Sequence, residues 1–253
     1  MSTSADSDKI KLRLHYWDCR GRAQAFRYML EDIAYTHKNV DYKEDFEVCE
    51  TISNTWGERR TDNTISGPFR SLPVLHWNDT DTFGQTLTIA HILARKFNLY
   101  GKITSTYNDP ILLEGNINGI ATCAYTDVIT NILQAIWATP DIEDMHSPGY
   151  FQIAMARDNL ESLNKILKQS STSFYYNQTE PTIADYFVFE AYLMARNMHR
   201  KLLPTNCEAL EKLEQIMKER PALANYFQNN RLFKRITAAP HEDEYLQKLS
   251  KIK

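Results

Sequence analysis

The run Leu12-Arg-Leu-His-Tyr-Trp-Asp-Cys-Arg-Gly-Arg-Ala23 holds a tyrosine and a cysteine three residues apart, where an alternating apolar pattern breaks and a helical one begins. A strand that delivers the Tyr16 hydroxyl to a helix N-terminus builds an anion-stabilising arrangement, because the phenol donates a hydrogen bond beside the positive end of the helix dipole. The other reading of Tyr16 is a half-buried strand aromatic. Cys19 shares the turn and is placed for thiol chemistry if it is exposed. Two further places suit binding. Gln85-Thr86 opens a helical pattern, so the Thr86 hydroxyl and the first helix amides can receive a carboxylate or simply cap the helix. Leu72 precedes Pro73, and its backbone N–H and C=O are free to pair with an extended peptide, like an added strand.

Elements of two kinds must position these groups. Ile10, Leu12, Leu14 and Tyr16 alternate with Lys11, Arg13 and His15, which predicts a strand, and Gly21 ends the turn after it. Phe26, Met29, Leu30 and Ile33 then fall at helical spacing. A second strand is expected over Thr36 to Tyr42, and Asp45 to Ser71 reads as a polar, loop-rich stretch. Leu72 to Trp77 reads as a short buried strand, with turn residues Asn78 to Asp81 and a hairpin return at Thr82-Phe83. The helix from Gln85 presents Leu87, Ile89, Ala90, Ile92, Leu93 and Phe97 on one face, with an end signal in Asn98 and Gly101. The order is β-α-β-β-β-α over residues 10–96. From Pro110 onward the period is helical, with helices expected near 110–138, 149–169, 182–198, 207–218 and 222–229. Thr182-Ile-Ala-Asp185 has capping-box form before an almost wholly apolar helix that must be buried. An all-α domain over 109–235 follows from this, with 236–253 as a C-terminal tail, either a surface helix or loose.

Composition excludes several classes. The chain has 253 residues, and its 29 Lys and Arg against 32 Asp and Glu leave no basic footprint for nucleic acid. Met1 to Asp8 is polar with no apolar signal core, and no segment approaches membrane-spanning length, so a soluble cytoplasmic protein is expected. Cys19, Cys49, Cys123 and Cys207 lie far apart, without a Cys-x-x-Cys or zinc-ligand spacing. They read as free thiols, and no metal is expected.

The residues at the joints of this architecture resemble those of cytosolic glutathione transferases. Tyr16-Trp17-Asp18-Cys19-Arg20-Gly21 is similar to the mu-class opening, and Arg22-Ala23 with Arg27-Tyr28 to the sigma class. Phe69-Arg-Ser-Leu-Pro73 resembles the loop into the family's cis-proline strand, and Gln85-Thr-Leu-Thr-Ile-Ala90 the start of its next helix. Pro181-Thr-Ile-Ala-Asp-Tyr186 and Arg220-Pro-Ala-Leu-Ala-Asn-Tyr226 match two segments of its helical domain. Together they span most of residues 10 to 235, in the family's order.

The resemblance implies thiolate chemistry: glutathione attacks a hydrophobic electrophile, in detoxification. Glutathione enters as co-substrate. A free thiol has a pKa near 8.5, and lowering it by about two units takes roughly 2.7 kcal/mol. One charge-assisted hydrogen bond, at about 1.5–3 kcal/mol, plus a helix N-terminus, at about 0.3–1 kcal/mol, supply that much. Tyr16 is then the donor, and Arg22 raises its acidity. Leu72, with Pro73 in cis, pairs with the cysteinyl residue, and Gln85 and Thr86 receive the γ-glutamyl carboxylate. Trp56 and Arg60, with Arg59 an equal candidate, hold the glycyl carboxylate, although the 57–71 loop is longer than in either class. Where the family places an acidic residue that reaches across a dimer, Glu114 to Gly119 offers only Asn116 or Asn118, which predicts weaker glutathione binding. The second substrate is expected over Trp17 and the 117–124 helix face, at Ile120. Phe69 matches an aromatic that inserts into a second copy, implying a homodimer. The alternatives are a glutathione-dependent isomerase of prostaglandin-synthase type and a non-catalytic ligand-binding relative.

Overall fold

A computed structural model describes residues 9–49 and 55–252; the polar opening Met1 to Asp8 and the final Lys253 lie outside them. Strand β1 (Ile10–Trp17) buries Leu12, Leu14 and Tyr16, as the alternation predicts. Helix α1 (Gln24–Thr36) follows, and then β2 (Val40–Glu47). The second strand therefore begins later than the expected Thr36. Thr36 closes α1, its Oγ1 donating to Asp32 O at 2.8 Å, and the strand is drawn from a charged run that hid its pattern. That run suits an edge, where Arg13 and Asp45 pair across it at 2.8 Å.

Between β2 and the next strand, the loop-rich stretch holds two single-turn helices, α2 (Trp56–Arg59) and α3 (Asn63–Ser66). Strands β3 (Val74–Trp77) and β4 (Asp81–Gly84) form the hairpin, and α4 (Thr86–Lys96) leaves it. The sheet order is β2-β1-β3-β4, with β2 parallel to β1 and both hairpin strands antiparallel to their neighbours.

The remainder is helical. Asp109 caps α5 (Pro110–Cys123) by accepting from Ile111 N and Leu112 N. A π-helical segment, Ala124–Ile129, joins it to α6 (Thr130–Ala138), so the expected single helix is one rod with a widened turn. Helices α7 (Tyr150–Lys168), α8 (Ile183–Met198), α9 (Glu208–Glu219) and α10 (Pro221–Gln228) follow the predicted spacing. Thr182 N donates to Asp185 Oδ2 at 2.7 Å, closing the capping box, and every residue of α8 from Ile183 to Ala195 is buried.

Helix α1 packs against α8. Phe26 meets Phe187 and Tyr28 meets Phe189, while Arg20 and Tyr28 both donate to the buried Glu190. Each fully buried side chain of this size contributes about 1.5–3 kcal/mol, so the seam is held mainly by apolar burial. The chain's last part is not a loose tail. Helix α11 (Glu242–Leu249) buries Glu242, Tyr245 and Leu249. The segment before it runs back across the β1–α1 turn, because Arg20 N donates to Arg235 O at 2.9 Å and Gly21 N to Ile236 O at 2.8 Å. Backbone bonds make this attachment, so side-chain periodicity carried no sign of it.

Candidate active site

Strand register gathers the candidate residues at one end of the sheet. His15 pairs with Val74, and Val74 with Gly84. One step further brings Tyr16, Pro73 and Gln85 alongside one another. The Leu72–Pro73 bond is cis. None of the backbone hydrogen bonds outside the regular elements involves Leu72 among the described residues. Gln85 takes φ +70° to turn the chain into α4, whose first residue, Thr86, is buried.

Tyr16 is 6% exposed, and its hydroxyl oxygen accepts from Arg22 N at 2.9 Å. That bond uses an oxygen lone pair and leaves the hydroxyl proton available to a second acceptor. Gly21 makes the approach possible. It sits at φ +45°, and a Cβ there would fall on the Tyr16 hydroxyl and within 2.7 Å of ring carbon Cε1. Burial, followed by the nearby Cys19, pushes the Tyr16 hydroxyl pKa up, while the Arg22 N–H and the Arg22 and Arg27 charges pull it down. Arg22 thus acts in the expected direction, but burial outweighs it and the Tyr16 hydroxyl stays a neutral donor. The contact from residue 22 is its backbone, since its side chain is exposed.

The turn itself is pinned by Arg27, which sequence reasoning gave no role. Its guanidinium donates to Cys19 O at 2.7 Å and Trp17 O at 3.0 Å, pairs with Glu44, and lies 4.6 Å from the Phe233 ring centre. The available sign was a charged residue inside the apolar stripe of Phe26, Met29 and Leu30. A cavity of about 180 Å³ opens beside Tyr16. Trp17, Cys19, Gly21 and Arg22 form one wall, Leu133, Gln134 and Trp137 of α6 another, and Thr237 and Ala238 close it. Ile120 is not part of this lining; it is buried in the helical core, and the helix that faces Tyr16 is the one beyond the π turn.

Trp56 reaches the site edge-on to Trp17, with ring centres 5.0 Å apart. Its two arginine neighbours differ. Arg59 is bound bidentately to Glu47, at 2.6 and 2.7 Å, and Glu47 also meets His15 Nε2 at 2.9 Å. Arg60 caps α2, and its side chain is exposed. Phe69 is 57% exposed, with its ring against Gly84. On α5, Asn116 is exposed, and Asn118 bonds Tyr100 while its Oδ1 lacks a partner. Glu114 is tied to Arg95 at 2.6 Å.

A family model for the glutathione S-transferase C-terminal domain matches residues 126–230. Over 168 residues, 64% of this chain and 70% of the other, the sequence is 29% identical to Glutathione S-transferase 4 of Caenorhabditis elegans. Residues 126–230 thus match a glutathione S-transferase C-terminal domain, and the chain is similar to a glutathione S-transferase over 64% of its length. The fold agrees with that of a Pi-class glutathione S-transferase of Onchocerca volvulus, at TM-score 0.65 and 19% identity over 89% of this chain and 97% of that one. A shorter match, 35% identical over 94 residues, is to S-crystallin SL18 of Nototodarus sloanii, covering 36% of this chain and 26% of that protein. The 235–239 strap and α11 lie beyond the matched 126–230 range. A groove of about 620 Å³ runs beside α1 and β2, where Arg231 pairs with Glu31 and Glu44 with Arg27. Among the described residues, no helix is long and apolar enough to cross a membrane, and no group of three metal-ligating side chains occurs.

Proposed function

We propose that the chain is a glutathione transferase that joins the glutathione sulfur to a compact hydrophobic electrophile. The observation that carries this reading is the Tyr16 hydroxyl, whose oxygen is satisfied by Arg22 N and whose proton is free to donate into the adjoining cavity. When glutathione binds, its thiol proton leaves to solvent and the neutral hydroxyl hydrogen-bonds to the thiolate. The sulfur then attacks the electrophilic carbon, the new C–S bond forms, and the leaving group departs with its electron pair. The Leu72 backbone beside cis-Pro73 pairs with the cysteinyl residue, and Gln85 and Thr86 at the start of α4 receive the γ-glutamyl carboxylate. Trp56 and Arg60 serve the glycyl end. Arg60 is favoured over Arg59 because Glu47 already occupies the Arg59 guanidinium.

Residues 10–96 act as the glutathione-binding unit, and 109–235 supplies the second-substrate wall. The cavity, at about 180 Å³, is below the range of roughly 300–1,000 Å³ common for ligand pockets, which supports a small electrophile. A mu- or sigma-type assignment, detoxification as the role and a cytoplasmic location belong to the same reading. So does a homodimer, supported by Phe69, Ile111 and Leu112, which expose apolar side chains. Asn116, exposed on α5, is then the residue nearest the role of the missing carboxylate.

The test is conjugation of glutathione to a generic aryl halide by wild type and Tyr16→Phe, with glutathione affinity measured by calorimetry. Loss of one charge-assisted hydrogen bond, about 1.5–3 kcal/mol, predicts roughly a 10- to 100-fold fall in kcat/KM with glutathione affinity little changed. A Tyr16→Phe protein as active as wild type removes Tyr16 from the mechanism, and a wild type that binds glutathione without conjugating it removes the activity.

A further inference from the structure

Two thiols meet behind the Tyr16 turn. The parallel register pairs Ile10 with Val40 and continues to Trp17 with Glu47 at a constant offset. Pairing carries on past the strand ends: Asp18 N donates to Glu47 O at 2.9 Å, and Cys49 N donates to Asp18 Oδ1 at 2.8 Å. These bonds bring Cys49 up against the turn that holds Cys19, next to Asp18. Both cysteines are buried free thiols, close enough for each side chain to act on the other.

The two sulfurs are not equivalent. Cys19 belongs to the wall of the cavity beside Tyr16, whereas Cys49 stands behind it. Arg27 donates to the Cys19 carbonyl at 2.7 Å, which fixes Cys19 in that wall. Cys49 keeps its proton: the contact with Cys19, burial and the neighbouring Asp18 all push its thiol pKa up. An incoming reagent therefore meets Cys19 first.

We propose that Cys19 and Cys49 form a redox dithiol that exchanges with a small disulfide entering the cavity beside Tyr16. The Cys19 thiolate attacks one sulfur of R–S–S–R; a mixed disulfide forms, and the R–S⁻ released takes up the proton Cys19 gave up. Cys49 then attacks the Cys19 sulfur, releasing the second R–S⁻, which takes the Cys49 proton. The protein dithiol loses two electrons to become a disulfide, and the reagent is reduced to two thiols. Cys123 and Cys207 lie apart on the helical half, facing Asn159 and Pro204.

The full chain is incubated with glutathione disulfide or with 2-hydroxyethyl disulfide, alkylated under denaturing conditions and mapped by peptide mass. The expected product is a Cys19–Cys49 cross-linked peptide, reversible by dithiothreitol, with Cys123 and Cys207 alkylated. In Cys49→Ser a mixed disulfide accumulates at Cys19, and in Cys19→Ser the remaining Cys49 is recovered alkylated. Reaction with 2-hydroxyethyl disulfide alone supports the dithiol while counting against glutathione binding in this cavity, so the two readings fail separately. Alkylation of all four cysteines after both reagents, or adducts confined to Cys123 or Cys207, overturns the proposal. The wild-type map decides it even if a variant does not fold.

Discussion

Replacing Gly21 by alanine tests the geometry at its tightest point. At φ +45° an L side chain is strained, and the new Cβ would meet the Tyr16 hydroxyl, with Cε1 and Cζ at 2.7 and 2.9 Å. The left-handed backbone costs about 1–2 kcal/mol, and displacing the hydroxyl from Arg22 N costs about 0.5–1.5 kcal/mol more. A loss of about 1.5–3.5 kcal/mol in a chain of this size lowers Tm by roughly 3–14 °C. The functional effect is larger, because a displacement of about 1 Å at the reacting group is worth roughly 100-fold in rate. Calorimetric melting and aryl-halide conjugation read the two effects, and Gly119→Ala is the control: its Cβ meets nothing, and in a helix the exchange stabilises by about 0.5–1 kcal/mol. If the loss acts through the hydroxyl, the Gly21→Ala, Tyr16→Phe double variant has the same kcat/KM as Tyr16→Phe alone. A Gly21→Ala protein with wild-type activity would falsify the arrangement, and a double variant much weaker than Tyr16→Phe would show damage by another route.

Two further outcomes follow from contacts around the site. Glu242, buried at the start of α11, accepts from Ile236 N at 2.7 Å and Thr237 N at 2.5 Å; Glu242→Gln replaces one acceptor by a donor, so the strap loosens, Tm falls, and bulkier electrophiles gain activity relative to small ones. An unchanged ratio of large to small substrates would separate the strap from selectivity. The Arg59 pair holds the Glu47 carboxyl below its ordinary range, so its contribution is complete above that range and is lost as pH falls through it. Arg59 is half exposed, which limits the pair to about 1 kcal/mol. Urea melts of Arg59→Ala should trail wild type by about that amount at neutral pH and converge with it in acid; a gap that is constant with pH contradicts the assignment.

The parts legible in the sequence were those with local physical signatures. Ile10 to Tyr16 alternates, Thr182 and Asp185 stand at capping-box spacing, and Pro110 opens a helical period. Other parts depend on contacts that leave no periodic trace. Strand β2 hides under charges because it is an edge, and the strap is attached through the carbonyls of Arg235 and Ile236. Ile120 was placed at the second-substrate wall from its helix position alone, but the π turn carries the facing surface to Leu133 and Trp137. Cys19 and Cys49, thirty residues apart, come near each other where β1 and β2 end side by side, at the Asp18–Cys49 contact.

The strap also dictates when the site can exist. The amides of Arg20 and Gly21 find their acceptors at Arg235 and Ile236, and those carbonyls are set by Glu242. During synthesis the opening strand and turn emerge first, yet the groups that complete them arrive more than two hundred residues later. Such a contact, spanning more than two hundred residues, is the kind that closes late in folding. A chain made only as far as α10 lacks the carbonyls that complete the Tyr16 turn, so competence at this site reports that the polypeptide has been made and folded through α11.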